Sequence, residues 1–316
     1  MECDDWGQKQ SGQAQPLQGT IVKGVGGSYE IVVSDGPAVL AVARGIFRKN
    51  RIVPTVGDHV YIESSGDPDI PYVISEILPR KNLLVRPSVA NVDVLILTFA
   101  KNKPLPDLCL LDKLLIICAK QQITPVIWMT KDDLESEDIT SIIQIYRDAG
   151  YETFSSSIDE TIPFARVSHL FSGKCVGFAG PSGVGKSTLC NMLTGGVNME
   201  VGSISERLNR GKHTTRHVEL FPVGDGFLID TPGFSSLELK DVDIKLDDVI
   251  LGYPEIARVR EKCYFQDCRH IGESGCAINQ FTIDPGRLLR YHEFIDYLIH
   301  NKPYTNKHQE RSHGKK

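Results

Sequence analysis

The chain changes its rhythm of apolar and polar positions twice. Between about residues 17 and 82, short runs rich in β-branched and aromatic residues (19–25, 29–34, 39–43, 59–64 and 72–77) are broken by Gly, Asp and Pro, as in short strands joined by tight turns. Five such strands predict a small β-barrel of the OB type, with an SH3-like barrel as the alternative. After Arg86-Pro87 the period changes. Strands expected at 92–99, 125–129, 151–154, 175–179, 217–222 and 227–229 alternate with helices expected at 108–121, 136–149 and 186–193, which predicts an α/β sheet covered on both faces. From about 247 the pattern is helical and bears Cys and His, ending in a basic tail. The expected organisation is a disordered leader (1–16), an OB-like barrel (17–82), an α/β domain (83–240) and a helical domain with the tail (241–316).

Charge narrows the partners. A net charge of −5 excludes indiscriminate binding to polyanions, so any nucleic-acid contact must come from local patches. One patch is the C-terminal segment, with eleven Lys and Arg against seven Asp and Glu from Arg258 onward. The opening MECDDWGQKQ has no apolar core of a secretory signal, and the apolar run 92–100 is too short for a membrane helix. A cytoplasmic location without membrane attachment is the expectation.

The chemistry concentrates in four short motifs. Gly180-Pro181-Ser182-Gly183-Val184-Gly185-Lys186-Ser187 matches G-x-x-x-x-G-K-[ST] and sits between an expected strand and an expected helix. There the glycines let backbone N–H groups curl around phosphates, Lys186 reaches the outer phosphates, Ser187 takes Mg²⁺, and Thr188 continues the contact into the helix. Asp230-Thr231-Pro232-Gly233 follows a strand, which places Asp230 to hold Mg²⁺ and the Gly233 amide to sense a γ-phosphate. Between them, Gly211-Lys212-His213-Thr214-Thr215 offers a threonine hydroxyl to the metal, Thr215 first and Thr214 second. Thr130-Lys131-Asp132-Asp133 ends a strand, and Asp133 would accept from the N1–H and 2-amino group of guanine, a donor pair adenine lacks. Thr130 stands where the usual motif has Asn, so weaker binding with unchanged base choice is expected. Ser155, Ser156 and Ser157 are expected to follow the next strand and supply a loop to the guanine carbonyl. Phe234 occupies the position of the water-orienting Gln found in many GTPases, so intrinsic hydrolysis is expected to be slow, and His213 is the candidate to orient water.

In the common order the phosphate loop comes first and the base motif late, whereas here Asp133 precedes Lys186, so the domain reads as circularly permuted. With GPSGVGKST, GKHTT, DTPGF and a Cys/His cluster downstream, the chain from about 17 to 304 resembles the ribosome small subunit-dependent GTPase A (RsgA) family. The resemblance implies a permuted P-loop GTPase with an N-terminal OB-type barrel and a C-terminal helical zinc-binding domain. It also implies late maturation of the small ribosomal subunit, contact with its 16S rRNA near the decoding region, and hydrolysis of GTP stimulated by that subunit and coupled to release. A nucleotide-gated RNA-binding module with incidental turnover is the alternative, and an ATP-dependent kinase fits less well because Asp133 favours guanine. A monomer that does not bind DNA is expected.

Cys263-x4-Cys268-x-His270-x5-Cys276 supplies three thiols and an imidazole, the complement of one closed tetrahedral Zn²⁺ site with a structural role. Such a site would present Arg258, Arg260 and Arg269 to a partner. Cys109, Cys118, Cys175 and Cys190 fall among apolar positions and are expected in the core. In the barrel, Arg44, Arg48, Lys49 and Arg51 surround Phe47, a basic and aromatic mixture suited to RNA backbone and bases, with a loop holding one buried Phe as the equal alternative.

Overall fold

The computed structural model describes residues 16–33, 36–50, 52–131, 139–157, 164–194, 218–230 and 239–300. It comprises two compact units, one drawn from Met1–Val94, Pro163–Phe178 and Cys190–Phe234, the other from Leu95–Ile162, Ala179–Leu189 and Ser235–Lys316.

The first unit begins with β1 (Leu17–Val25), β2 (Ser28–Val33) and β3 (Ala38–Ala43), followed by a one-turn helix α1 (Gly45–Lys49), β4 (His59–Ser64) and β5 (Tyr72–Ile77). Strands follow the order β1-β2-β3-β5-β4, and β4 pairs back to β1, closing a five-stranded barrel in which only β3 and β5 run parallel. This is the OB-type alternative. Alternation does the work: Ile21, Ile31, Ile62 and Ile74 are wholly buried while their strand neighbours are partly exposed, except Val22, which is also buried where β1 departs from regular register. The Arg80 guanidinium holds buried Asp58 through two bonds of 2.7 and 2.8 Å, and Asp58 in turn accepts from the Thr55 amide, so the base of the barrel is pinned by a charged hydrogen-bond set.

A small hairpin, β6 (Leu83–Val85) and β7 (Ser88–Ala90), comes next, and sequence periodicity gave no hint of it because each strand is only three residues. Later in the chain the same unit holds β11 (Cys175–Ala179), whose residues are all buried, β12 (Glu219–Val223) and β13 (Gly226–Asp230). β11 lies parallel to β13, β13 forms a hairpin with β12, and β12 pairs with barrel strand β1 at Lys23↔Glu219. The short helix α4 (Ser168–Phe171) precedes β11.

The second unit contains β8 (Val94–Ala100), α2 (Leu108–Lys120), β9 (Thr124–Thr130), α3 (Ile139–Ala149) and β10 (Glu152–Ser156). β8 is buried at every residue, as expected of a strand with both faces covered. Asp107 caps α2 by accepting from the Leu110 amide. α5 (Lys186–Thr194) begins in this unit. A 3-10 segment (Leu246–Gly252), α6 (Pro254–Arg260) and α7 (Pro285–His300) form the C-terminal part, with the metal-ligand residues in the turns between α6 and α7.

A buried ionic cluster ties the C-terminal helices to α2 and α3. Asp112 and Arg287 are both wholly buried and meet at 2.6 Å; Asp112 also accepts from Arg290, Tyr146 and Tyr253, while Arg287 donates to Glu255 and the Gly252 carbonyl. The Arg287 guanidinium lies 4.1 Å from the Tyr253 ring centre. Burial alone would lower this guanidinium, yet Asp112 and Glu255 outweigh it and hold it above its ordinary value. Burial, reinforced by Asp112, keeps the Tyr146 and Tyr253 hydroxyls protonated donors.

One expectation about cysteines is corrected. Cys118, Cys175 and Cys190 are buried, but Cys109 is exposed, because it lies in the first turn of α2 away from the apolar stripe of Leu111, Leu114 and Leu115.

Candidate nucleotide site and metal cluster

The phosphate loop is shaped by its glycines. Gly180 leaves β11 at φ 138°, and a Cβ there would lie 1.9 Å from the Thr98 carbonyl oxygen, so only glycine lets the loop turn against β8. Gly183 and Gly185 also take positive φ, at 78° and 93°, completing the curl into α5. Val184 is buried, anchoring the loop, whereas Ser182 and Gly183 are exposed at its crest and Pro181 and Ser187 are half-buried. Thr188, one residue further, is exposed. The Lys186 ammonium donates to the carbonyls of Gly180 at 2.8 Å and Pro181 at 2.5 Å, and partial burial pulls its pKa below the usual lysine value. A cation is thus held against a glycine-shaped turn from strand to helix, the kind of loop that cradles phosphates.

The base motif meets this loop directly. Thr130, at the end of β9, donates its hydroxyl to the Val184 carbonyl and also lies 3.3 Å from that of Phe99. Lys131, in the left-handed region at φ 59°, donates to the Gly183 carbonyl at 3.1 Å and to that of Lys103. The expectation that Thr130 merely forfeits contacts is therefore incomplete, since a shorter hydroxyl reaches the loop. Asp132 and Asp133 lie outside the described residues, as do His213, Thr214, Thr215 and Gly233; Asp230 is described in its backbone only.

The serine loop needs correction. Ser155 and Ser156 are strand residues of β10, paired with Met129 and Thr130, and the Ser156 hydroxyl accepts from the Trp128 indole at 2.9 Å. Only Ser157 follows the strand. Phe47 is also placed differently from a stacking residue: it belongs to α1 and is only 8 % exposed. Arg44 pairs with Glu63 and Lys49 is exposed, while the Arg48 side chain and Arg51 lie outside the described residues.

The four expected metal ligands converge. The Sγ atoms of Cys263, Cys268 and Cys276 and a ring nitrogen of His270 all lie within 4.8 Å of one another. His270 Nδ1 is 3.6, 3.7 and 3.4 Å from the three sulfurs. Tetrahedral zinc, with Zn–S of about 2.3 Å and Zn–N of about 2.0–2.1 Å, would separate such ligands by about 3.5–3.6 Å, so the donor set and its spacing both fit. Burial pushes the Cys268 thiol up to about 12 and holds His270 below its usual value. The surrounding shell is built for this: the Ala277 amide points at Cys263 Sγ, Glu273 accepts from the Arg269 and Ile271 amides, and His292 on α7 hydrogen-bonds the His270 carbonyl. Of the nearby arginines, Arg258 reaches the Ala149 carbonyl, Arg260 donates to that of Gln266 and Arg269 pairs with Asp247 at 3.4 Å.

Comparison with known proteins decides the family. The sequence model of the RsgA GTPase family matches residues 77–240, and that of the RsgA N-terminal domain matches residues 18–69. The chain belongs to the RsgA GTPase family. It is 37 % identical over 297 residues to the small ribosomal subunit biogenesis GTPase RsgA of Caldanaerobacter subterraneus subsp. tengcongensis, covering 93 % of this chain and 98 % of that relative. The corresponding RsgA 1 protein of Listeria monocytogenes is 40 % identical over 295 residues, covering 91 % and 99 %. Among solved structures, YloQ, described as a circularly permuted GTPase, superposes with a TM-score of 0.77 at 31 % identity, covering 93 % of this chain and 99 % of YloQ. YjeQ from Thermotoga maritima gives 0.76 at 28 % identity, covering 90 % and 99 %. RsgA GTPases are GTP hydrolases, and the permuted order read from Asp133 and Lys186 is that of this fold. No helix among the described residues is long and apolar enough to cross a membrane.

Proposed function

We propose that this protein is a GTPase of small ribosomal subunit biogenesis that binds GTP with Mg²⁺ through residues 180–188, reads guanine through Lys131 and Asp133, and hydrolyses GTP while on the subunit. The observation that carries the reading is the abutment of base motif and phosphate loop: Thr130 and Lys131 both hydrogen-bond carbonyls of residues 183 and 184, as one nucleotide spanning both motifs would require. The names of the relatives supply the ribosomal context. Ser187, Asp230 and Thr215 would share the Mg²⁺, and Lys186 would balance charge on the outer phosphates in the transition state. Gly233 would report the γ-phosphate, and His213 would orient the attacking water.

Cys263, Cys268, His270 and Cys276 would hold one zinc ion, whose chemistry here is structural: four protein ligands leave no open position for substrate. The barrel (17–82), the permuted GTPase domain (83–240) and the zinc-binding helical domain (241–316) would together grip the small subunit through its 16S rRNA, with basic side chains such as Arg44, Lys49, Arg260 and Arg269 tracking phosphates. The protein would act as a cytoplasmic monomer in late maturation. Multiple-turnover GTP hydrolysis with and without purified small subunits tests the proposal. Stimulation by mature small subunits, absent with ATP, is the expected result; equal rates with and without subunits would overturn it.

A further inference from the structure

Tyr264 is 81 % exposed, more than any other large apolar side chain among the described residues, and its neighbour Phe265 is 49 % exposed. Two adjacent aromatic rings held outward in water are costly unless something covers them. Their backbone is not loose. Cys263 precedes them and Cys268 follows, so the metal ligands clamp the turn on both sides. The Tyr264 amide bonds the Gly275 carbonyl at 3.1 Å, and a Cβ on Gly275 would fall 2.8 Å from that of Tyr264, so the glycine seats the tyrosine stem and leaves its ring outside. The two rings brace each other edge to face, with centroids 4.9 Å apart and planes at 82°. Arg260 donates its Nε to the carbonyl of Gln266, the residue after Phe265, which fixes a guanidinium to the same turn.

We propose that Tyr264 and Phe265 form a base-stacking platform that receives unpaired nucleotides of small-subunit RNA. The proposal rests on the ribosomal reading above and names the chemistry of one contact within it. Bases suit this surface because every base offers a π face to an aromatic ring, and rigid rings lose little freedom on stacking. Charge is secondary here: Glu261 and Asp267 offset part of Arg260 and Lys262, so stacking rather than phosphate attraction must supply the affinity. Arg260 would add a cation to the edge of the stack.

Tyr264→Ala and Phe265→Ala are each expected to weaken binding to purified small subunits by about 5- to 150-fold, the range for one stacked base. The salt dependence of binding should keep its slope, because no phosphate contact is lost. Tyr264→Phe should restore wild-type affinity, and bound zinc and basal GTP turnover should be unchanged in all three variants. Zero-length photocrosslinking of the wild-type complex should yield a nucleotide adduct on the peptide 263–268. Wild-type affinity in both alanine variants would overturn the platform, as would an adduct to ribosomal protein or a loss of affinity without any nucleotide adduct. A wild-type protein that does not bind small subunits would instead overturn the ribosomal reading itself.

Discussion

The Thr130 hydroxyl donates to the Val184 carbonyl at 2.5 Å, so the strand that ends in the base motif is fastened to the buried anchor of the phosphate loop. Thr130→Val preserves shape but strands a buried carbonyl, at a cost of about 1–3 kcal/mol. The expected outcome is a raised KM for GTP with a smaller change in kcat, and an unchanged preference for GTP over ATP because Asp133 is untouched. Thr130→Asn should retain activity, since its amide also donates. Steady-state kinetics with both nucleotides checks this; an unaltered KM in the valine variant would sink it.

Lys186→Ala removes the ammonium that bridges the Gly180 and Pro181 carbonyls and would meet the outer phosphates. Turnover should fall to background while the thermal unfolding midpoint stays near that of the wild type. Subunit-stimulated hydrolysis at the normal rate would end the assignment of this loop.

Metal removal should act on stability rather than on chemistry at the nucleotide. Stripping zinc with a chelator, or Cys268→Ser, is expected to lower the unfolding midpoint and release the turns that Glu273 and His292 brace. Metal analysis of protein prepared without chelator, paired with thermal unfolding, tests it: loss of metal with no change in unfolding would refute a structural role.

Asp112 is the centre of the cluster joining α2 to the C-terminal helices, and its loss would leave Arg287 and Arg290 buried beside a missing partner. Asp112→Ala should destabilise the protein by about 3–5 kcal/mol, the range for breaking one side of a buried pair. Asp112→Asn, which still accepts hydrogen bonds, should cost less. Urea titrations of the two variants would settle the order; equal midpoints for both and the wild type would contradict it.

Nucleotide state should govern residence on the ribosome. A non-hydrolysable GTP analogue is expected to tighten binding to small subunits relative to GDP by about 5- to 150-fold, the usual size of such couplings. Dissociation constants measured at one salt concentration provide the test, because phosphate contacts are salt-sensitive. Identical constants in the two states would separate hydrolysis from release.

What could be read in advance follows the range of the interactions. The phosphate loop and the Cys/His cluster are local in sequence and carry their chemistry within a few residues, so spacing alone located them. The barrel was legible from alternation, with Ile21, Ile31, Ile62 and Ile74 as its inward face. The Asp112–Arg287 pair was not, because its members lie 175 residues apart on helices where a lone charge ordinarily faces water. Ser155 and Ser156 fall inside β10 and not after it, and nothing local shows that the strand runs two residues past Phe154. For Phe47 the sequence leaves a stacking ring and a buried one open, and the one-turn helix that buries it is too short to leave a period that would choose between them.

The pairing of barrel and nucleotide strands has a mechanical consequence. Lys23 stands opposite Glu219, and Glu219 stands opposite Asp230, so one transverse row runs from the barrel wall to the proposed magnesium ligand. Two interstrand steps of about 4.8 Å each span it, and the Lys23–Glu219 ion pair at 3.0 Å braces the first step. A load on the barrel, such as docking on a large particle would apply, therefore has a path to Asp230 through paired strands as well as along the chain. The same row makes the barrel hard to remove. Deleting residues 17–82 would bare the outer edge of β12 as an unpaired template for other chains, and the shortened protein should self-associate through that edge instead of simply losing its affinity for RNA.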